Sequence, residues 1–127
     1  MARILIIEDN APNLALMSYL LSSSGHTVEG YRDGQSGLDA VRSQMPDLVL
    51  CDIQLPKLSG YQIAQALRAD ADLRALPLVA VTALAMRGDR AKGLAAGFDH
   101  YIEKPIEAET FVALIESFLP EALRNSK

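Results

Sequence analysis

The sequence Ile-Leu-Ile-Ile-Glu-Asp occupies residues 4–9 and carries the two features on which the fold prediction rests. Its first four residues form a short, continuous apolar run, which is typical of a strand buried on both faces of a parallel sheet. Two acids follow directly, where such a strand would end. The same order recurs at three later places, where a strand-like segment is followed by a polar side chain: Asp52, Thr82 and Lys104.

Helical patterns lie between these strand-like segments. The strands are predicted over residues 4–7, 26–30, 47–51, 78–81 and 100–102, and the helices follow each of them. The first helix is predicted from apolar residues at helical spacing, with Asn10 as its N-cap and Gly25 as its stop; these residues are Leu14, Met17 and Leu21. Five alternations of strand and helix predict an α/β fold, a parallel sheet with helices on both faces.

The sequence signals for the four later helices differ in strength. The second is marked by Leu38, Val41 and Met45 and ends at Pro46, and the third covers residues 61–69. The fourth, about residues 89–96, is rich in Ala and Gly, so it offers little packing area and we expect it to shift at modest cost. The last helix has the clearest apolar stripe, formed by Phe111, Leu114, Ile115, Phe118 and Leu119.

Composition limits the classes of function that fit the chain. With 127 residues, half of them hydrophobic, it is the size of one folded domain, predicted over residues 1–120 with a short polar tail at 121–127. The net charge of −4 and the lack of a basic patch argue against direct binding of nucleic acid or an anionic membrane. Without a secretory signal or a membrane-length apolar stretch, the chain is expected to be cytoplasmic. Its single cysteine, Cys51, is predicted to be a buried, unreactive thiol.

The polar residues at the strand ends predict a phosphoryl-transfer site. In open α/β sheets, ligands bind outside the carboxyl ends of the strands, so Asp9, Asp52 and Thr82 project into one crevice if their strands are neighbours. Crowded carboxylates repel one another, and a hard divalent cation such as Mg²⁺ relieves that repulsion. A cation together with Lys104 would neutralise phosphoryl oxygens while Asp52 attacks as the nucleophile.

Each of these residues also has a purely structural interpretation. Glu8 and Asp9 could stabilise the start of the first helix, Asp52 could be a turn residue, and Thr82 could be an N-cap. Lys104 could be a solvated surface charge. Their joint arrangement favours the functional interpretation. His26 and His100, in contrast, are predicted to be surface or strand-edge residues rather than metal ligands.

At these positions the chain resembles a known family, the receiver domains of two-component response regulators. The resemblance covers about residues 2–119 and rests on several motifs in order: Glu8-Asp9-Asn10, Asp52 with Leu55-Pro56 and Gly60, Thr82-Ala83, and Lys104-Pro105. It implies a flavodoxin-like doubly wound sheet with strand order 2-1-3-4-5. It also implies a stand-alone receiver without an output domain, similar to those of bacterial phosphorelays.

The resemblance implies a role for each residue of the site. Asp52 would accept a phosphoryl group from a histidine on a partner, either a sensor histidine kinase or a histidine phosphotransferase. Mg²⁺ would be bound by Asp9, Asp52 and the backbone carbonyl of Gln54, with Glu8 acting mostly through water. The downstream partner would be a protein that recognises the phosphorylated state.

Three further expectations come from the same resemblance. Thr82 and Lys104 would contact phosphoryl oxygens, and the Lys104-Pro105 peptide bond would be cis. Tyr101 occupies the switch position, which in the family turns inward when the threonine moves and so remodels the face formed by the fourth helix, fifth strand and fifth helix.

Two residues depart from the commonest family pattern. Glu8 replaces the more frequent Asp, which should alter the metal geometry slightly. Gln54 stands where the family often has Met or Asn, so we expect it to influence the lifetime of the phosphoryl group.

Two other functions compete with a phosphoacceptor. A receiver-like interaction module would keep the fold and bind partners without phosphorylation. A phosphatase with an aspartyl nucleophile would need a second Asp two residues after Asp52 as the general acid, and Gln54 stands there instead. The chain is therefore predicted to be a signalling domain rather than an enzyme, and slow self-dephosphorylation would be compatible with that prediction.

Overall fold

The predicted strands form one parallel sheet in a computed structural model that describes residues 2–83, 92 and 94–123. The sheet has five strands in the order β2-β1-β3-β4-β5, which confirms the predicted topology. Their bounds are β1 Arg3–Ile7, β2 Thr27–Tyr31, β3 Leu48–Cys51, β4 Leu78–Thr82 and β5 His100–Glu103. Every pair of neighbouring strands is parallel. The chain order reverses at β1, so the crevice between β1 and β3 lies at the topological switch point.

Helices cover both faces of the sheet. They are α1 Ala11–Ser23, α2 Gly34–Gln44, α3 Gly60–Ala69 and a C-terminal helix, Ala108–Ser117. Two apolar layers result, one around Ile7, Val49 and Ile63 and the other around Ile6, Met17 and Ile115. Buried on both faces, β1, β3 and β4 have almost uninterrupted apolar sequences, which is why they were the most readily predicted strands.

Polar side chains fix the helix starts that follow the site-forming edge. Asn10 caps α1 as predicted, its side chain accepting the Asn13 N–H at 2.9 Å. Asp33 caps α2 in the same way through the Ser36 N–H at 2.8 Å. Ser59 and Gln62 form a capping box at the start of α3. Each cap orients a loop that leaves the carboxyl end of a strand.

The prediction for the end of the second helix was wrong. Met45 was placed on the buried stripe, but α2 ends at Gln44 and Met45 adopts a left-handed conformation with φ 51°. Its side chain is 48% exposed as a result. The apolar spacing continued one residue past the end of the helix, because Pro46 restricts the residue before it and forces the chain out of the helical region.

His26, predicted to be a surface or strand-edge residue rather than a metal ligand, directly precedes the edge strand β2 but does not lie on the surface. Its side chain is fully buried, and its Nε2 lies 2.8 Å from Oε2 of Glu116 on the C-terminal helix. The other ring nitrogen, Nδ1, accepts the Ala2 N–H at 3.0 Å. Burial is tolerated because both ring nitrogens are hydrogen-bonded, and the pair fastens the C-terminal helix to the end of the sheet opposite the polar crevice.

The remaining sequence predictions have mixed outcomes. Cys51 is buried as predicted. Leu114 departs from the predicted stripe of the C-terminal helix, since it is 40% exposed while Phe111 and Ile115 are buried. Most of the fourth predicted helix lies outside the described residues, although residues 92 and 94–96 are helical. None of the helices described is both long and apolar enough to cross a bilayer.

Candidate functional site

The carboxyl ends of the central strands bring the predicted polar residues to one edge of the sheet. Ile7 is paired with Cys51, so the residues that follow them, Glu8 and Asp52, leave the sheet side by side. On the other side of β3, Thr82 ends β4 and its carbonyl accepts the Lys104 N–H at 3.0 Å. Parallel pairing therefore turns four separated sequence positions into one crevice, as predicted.

Three acids form a cluster in this crevice. Glu8, Asp9 and Asp52 each offer a carboxylate oxygen, and these oxygens all lie within 4.8 Å of one another. Glu8 and Asp52 are only 1% and 5% exposed, whereas Asp9 is exposed at the mouth. Oxygen ligands around an octahedral Mg²⁺ are spaced by about 3–4 Å, given metal–oxygen bonds near 2.1 Å. The chemistry of the donor set, three carboxylates that meet at one point, thus fits a hard divalent cation.

Lys104 places an ammonium group between the two buried acids. Its Nζ lies 2.7 Å from Glu8 Oε1 and 2.9 Å from Asp52 Oδ2, and the side chain is only 15% exposed. The peptide bond between Lys104 and Pro105 is cis, as predicted. Because one lysine faces two buried carboxylates and an exposed third, the crevice keeps an excess of negative charge.

Burial and neighbouring charges shift the pKa values of Glu8 and Lys104. Burial raises the pKa of Glu8 to about 7, and Asp52 adds to the rise, while the hydrogen bond from Lys104 only partly opposes it. Burial alone would lower the pKa of Lys104, but its hydrogen bonds to Glu8 and Asp52 outweigh that effect and raise it. The lysine therefore stays charged, and Glu8 is the acid that takes up a proton near neutral pH.

The other predicted residues occupy the rim and flank of the crevice. Gln54 is exposed, and its N–H donates to Asp52 Oδ1 at 3.2 Å. Thr82 is buried, with 1% exposure, at the end of β4. Tyr101 lies half-buried on β5 and packs against the apolar layer that contains Val49. All the predicted residues thus lie on the elements that were expected to carry them.

The contacts of two residues near the cluster were not predicted from the sequence. Arg32 follows β2 and donates through Nη2 to the Asp9 carbonyl at 3.0 Å. It was detectable in principle, because it also follows the carboxyl end of a strand. Gly60 was noted only as part of a motif, yet a Cβ there would lie 2.5 Å from the Asp52 carbonyl oxygen. Only glycine lets α3 begin directly against the segment that holds Asp52.

Metal-free stability should decrease as pH rises through the range in which Glu8 titrates. Its folded-state pKa of about 7 lies above the ordinary value of 4.5, so the folded state binds more protons between these pH values. The free energy of unfolding therefore decreases from about pH 4.5 to about pH 7. Urea denaturation in EDTA across this range measures the slope, and Glu8→Gln should flatten it. An unchanged slope in that variant would contradict the assignment.

Comparison with protein families gives a match over most of the chain. A family model described as the response regulator receiver domain matches residues 4–116. The polar-differentiation response regulator DivK of Brucella anthropi is 41% identical over 119 residues, which cover 94% of this chain and 97% of that protein. Its near full-length coverage shows that the similarity extends over the whole of a single-domain relative.

Solved structures give the same picture. The receiver domain of a sensor histidine kinase from Pseudomonas aeruginosa PAO1, solved with a magnesium ion coordinated in its active site cleft, is 32% identical with a TM-score of 0.84. That match covers 92% of this chain and 96% of the other. The chemotaxis response regulator CheY4 of Vibrio cholerae is 24% identical with a TM-score of 0.88 over 94% of this chain and 99% of its own, which shows the shared fold.

Proposed function

The chain belongs to the response regulator receiver domain family of two-component signalling, and from that premise we propose that it is a phosphoacceptor that carries its signal on Asp52. In this proposal Asp52 takes the phosphoryl group from a histidine of a sensor kinase or a phosphotransferase. The phosphorylated chain then binds a downstream protein. The observation that carries the proposal is the position of Lys104 Nζ, within 2.7 Å of Glu8 and 2.9 Å of Asp52 in a crevice lined by three carboxylates.

The residues of the crevice divide the chemistry between them. A carboxylate oxygen of Asp52 attacks phosphorus, the phosphorus–nitrogen bond breaks, and the leaving imidazole keeps the electron pair. Lys104 already contacts Asp52, so it is placed to neutralise an oxygen of the incoming group. Thr82 would donate its hydroxyl to another phosphoryl oxygen.

The same crevice is proposed to bind Mg²⁺. Asp9 and Asp52 would bind it directly together with the Gln54 carbonyl, and Glu8 would act mostly through water. When bound, the ion would neutralise phosphoryl oxygens during the transfer. The magnesium ion in the cleft of the Pseudomonas relative supports this assignment. Glu8, half-protonated near neutral pH, would release its proton more readily beside the cation.

An acetyl phosphate assay tests the proposed function. Incubated with acetyl phosphate and Mg²⁺, the chain should gain the mass of one phosphoryl group in an intact-mass measurement, and EDTA should prevent the gain. A chain that stays unmodified under these conditions would instead be a receiver-like interaction module that acts without phosphorylation.

The surface of α1 supports docking of a protein phosphodonor. All thirteen residues of the helix are uncharged, and Tyr19 on its outer side is 69% exposed. The helix begins two residues after Asp9, so its surface adjoins the mouth of the crevice. A carrier that delivers a histidine to Asp52 has to cover surface near this mouth, and α1 offers it an apolar face.

Tyr19→Asp should slow phosphotransfer from a histidine kinase about tenfold, because a charge on an apolar interface costs on the order of 1.4 kcal/mol. The variant should still be labelled by acetyl phosphate at the wild-type rate, since the crevice is unchanged. Met45→Asp is the matched control, because Met45 is also exposed but lies at the opposite edge of the sheet. Equal slowing in both variants would count against docking on α1.

A further inference from the structure

The turn between β1 and α1, residues 8–10, carries two of the three acids of the crevice. Both ends of this turn are fixed by the fold. The Glu8 N–H donates to the Tyr31 carbonyl at 2.9 Å, which continues the pairing of β1 with β2. The Asn10 N–H donates to Glu8 Oε2 at 3.1 Å, and the Asn10 side chain caps α1. Asp9 is the residue between these two fixed points.

Asp9 is the acid of the cluster that can leave it most easily. Glu8 and Asp52 are buried and contact Lys104, whereas Asp9 is exposed at the mouth. The oxygens of the three acids lie within 4.8 Å of one another, and like charges at this distance repel. Without a metal ion, this repulsion favours movement of Asp9 out of the crevice. A contact that holds the backbone of Asp9 would oppose that movement.

Arg32 makes such a contact from the neighbouring strand. Its Nη2 donates to the Asp9 carbonyl at 3.0 Å, and in the part of the chain that the structure describes this is the only hydrogen bond of Asp9. The backbone on either side of Arg32 is fixed, because Tyr31 ends β2 and Asp33 caps α2. The guanidinium group, a planar donor with a defined direction, therefore connects a rigid corner of the fold to the middle of the turn.

The acceptor that Arg32 uses is the carbonyl of Asp9 and not its carboxylate. No ion pair joins Arg32 to the Asp9 carboxylate among the described residues. The carboxylate thus stays available to a metal ion while the backbone behind it is held. The charge of the guanidinium group has the opposite effect, because it repels a cation that enters the crevice. The two effects differ in sign, so an experiment can separate them.

We propose that Arg32 is a positioning residue for the metal site, which keeps the Asp9 carboxylate where it can bind Mg²⁺ together with Asp52. The inference rests on the proposed function, since Asp9 and Asp52 are the proposed ligands. Loss of a hydrogen-bond partner of a metal ligand commonly weakens metal binding by about 10- to 100-fold. Arg32 is exposed and holds the backbone rather than the ligand atom, so we expect a smaller effect of about fivefold.

Binding of Mg²⁺ to Arg32→Met tests the inference. The free energy of unfolding is measured in urea at increasing concentrations of MgCl₂ and constant ionic strength. Its rise gives the dissociation constant for Mg²⁺, and the stability of each variant without metal does not enter. Arg32→Met keeps the apolar stem but loses the donor and the charge, and it should bind Mg²⁺ about fivefold more weakly than the wild type.

Two further variants identify the cause of the loss. Arg32→Lys keeps a donor and the positive charge, so its dissociation constant for Mg²⁺ should lie within about twofold of the wild type. Arg42→Met removes the same charge from an exposed position on α2 and should leave the dissociation constant unchanged.

Several outcomes would overturn the positioning role. Tighter binding of Mg²⁺ by Arg32→Met would show that charge repulsion outweighs positioning, and unchanged binding would show that the contact with Asp9 has no effect. An equal loss in Arg42→Met would indicate a general charge effect. If Arg32→Lys binds Mg²⁺ as weakly as Arg32→Met, a donor at this position does not hold Asp9.

Labelling of the same variants by acetyl phosphate distinguishes positioning from contact with the phosphodonor. At saturating Mg²⁺, Arg32→Met should be labelled at nearly the wild-type rate, because Arg32 holds the Asp9 backbone and not the phosphoryl group. A deficit that saturating Mg²⁺ does not restore would assign Arg32 to the phosphodonor and overturn the positioning role.

The two measurements also keep this inference separate from the phosphoacceptor proposal. If Arg32→Met weakens Mg²⁺ binding as expected but Asp52 of the wild type is never labelled, the phosphoacceptor proposal is wrong and the positioning role stands. If the wild type is labelled but Arg32→Met binds Mg²⁺ like the wild type, the positioning role is wrong and the phosphoacceptor stands.

Discussion

Asp52→Asn should accept no phosphoryl group from acetyl phosphate in the presence of Mg²⁺. Without metal, the same variant should unfold at a higher temperature than the wild type. The first effect follows because the amide is not a nucleophile. The second follows because Asp52 and Glu8 are buried together and the charge of Asp52 contributes to the raised pKa of Glu8. With the amide in place, Lys104 and Glu8 form a balanced pair.

The expected gain in metal-free stability is on the order of 1 kcal/mol, since one of two buried like charges is removed while the lysine keeps a partner. The Gln54 N–H retains an acceptor at position 52, because the asparagine side chain also presents an oxygen. Urea denaturation in EDTA at about pH 8 measures the gain, with Glu8 ionised because its pKa is about 7.

Mg²⁺ gives the complementary measurement. Wild type should be stabilised by millimolar Mg²⁺ through mass action on the folded state, and Asp52→Asn should respond much less because it lacks one ligand. Asp39→Asn, which removes an exposed acid from α2, is the control for a general charge effect. If Asp52→Asn is still labelled, or if it unfolds at a lower temperature than the wild type in EDTA, the placement of Asp52 as the buried acceptor is refuted.

The sequence predicted the fold well because its strongest signals are local. Continuous apolar runs mark β1, β3 and β4, and the polar residues that end them identify the functional edge of the sheet. Even for β2, an edge strand without a buried residue, the predicted bounds of 26–30 differ by only one residue from the observed Thr27–Tyr31. Once strands are known to be parallel and adjacent, their last residues have to meet.

What the sequence could not predict depends on contacts between distant positions. His26 and Glu116 are separated by 90 residues, and neither alone indicates a buried pair. Leu114 satisfies the helical period but faces a groove that only the placement of β5 creates. The proton affinity of Glu8 depends on how deeply it is buried beside Asp52 and Lys104, and no spacing in the sequence carries that information.

Lys104→Met should lower the metal-free free energy of unfolding by about 3 kcal/mol at pH values where Glu8 is ionised. The methionine keeps the apolar stem of the side chain but removes the ammonium group from 2.7 Å of Glu8 and 2.9 Å of Asp52. Two carboxylates that are 1% and 5% exposed would then repel each other without a neutralising cation. Urea denaturation in EDTA measures the loss.

The pH dependence of this loss identifies its cause. Below the pKa of Glu8, about 7, its carboxyl group is increasingly protonated, so the charge of Lys104 stabilises it less. The loss of stability in Lys104→Met should therefore be smaller at about pH 6 than at about pH 8. Lys104→Met combined with Glu8→Gln should recover most of the stability, because a single buried acid remains. If Lys104→Met destabilises the chain equally at both pH values, and Glu8→Gln recovers nothing, then the lysine stabilises the fold through packing of its stem rather than through its charge.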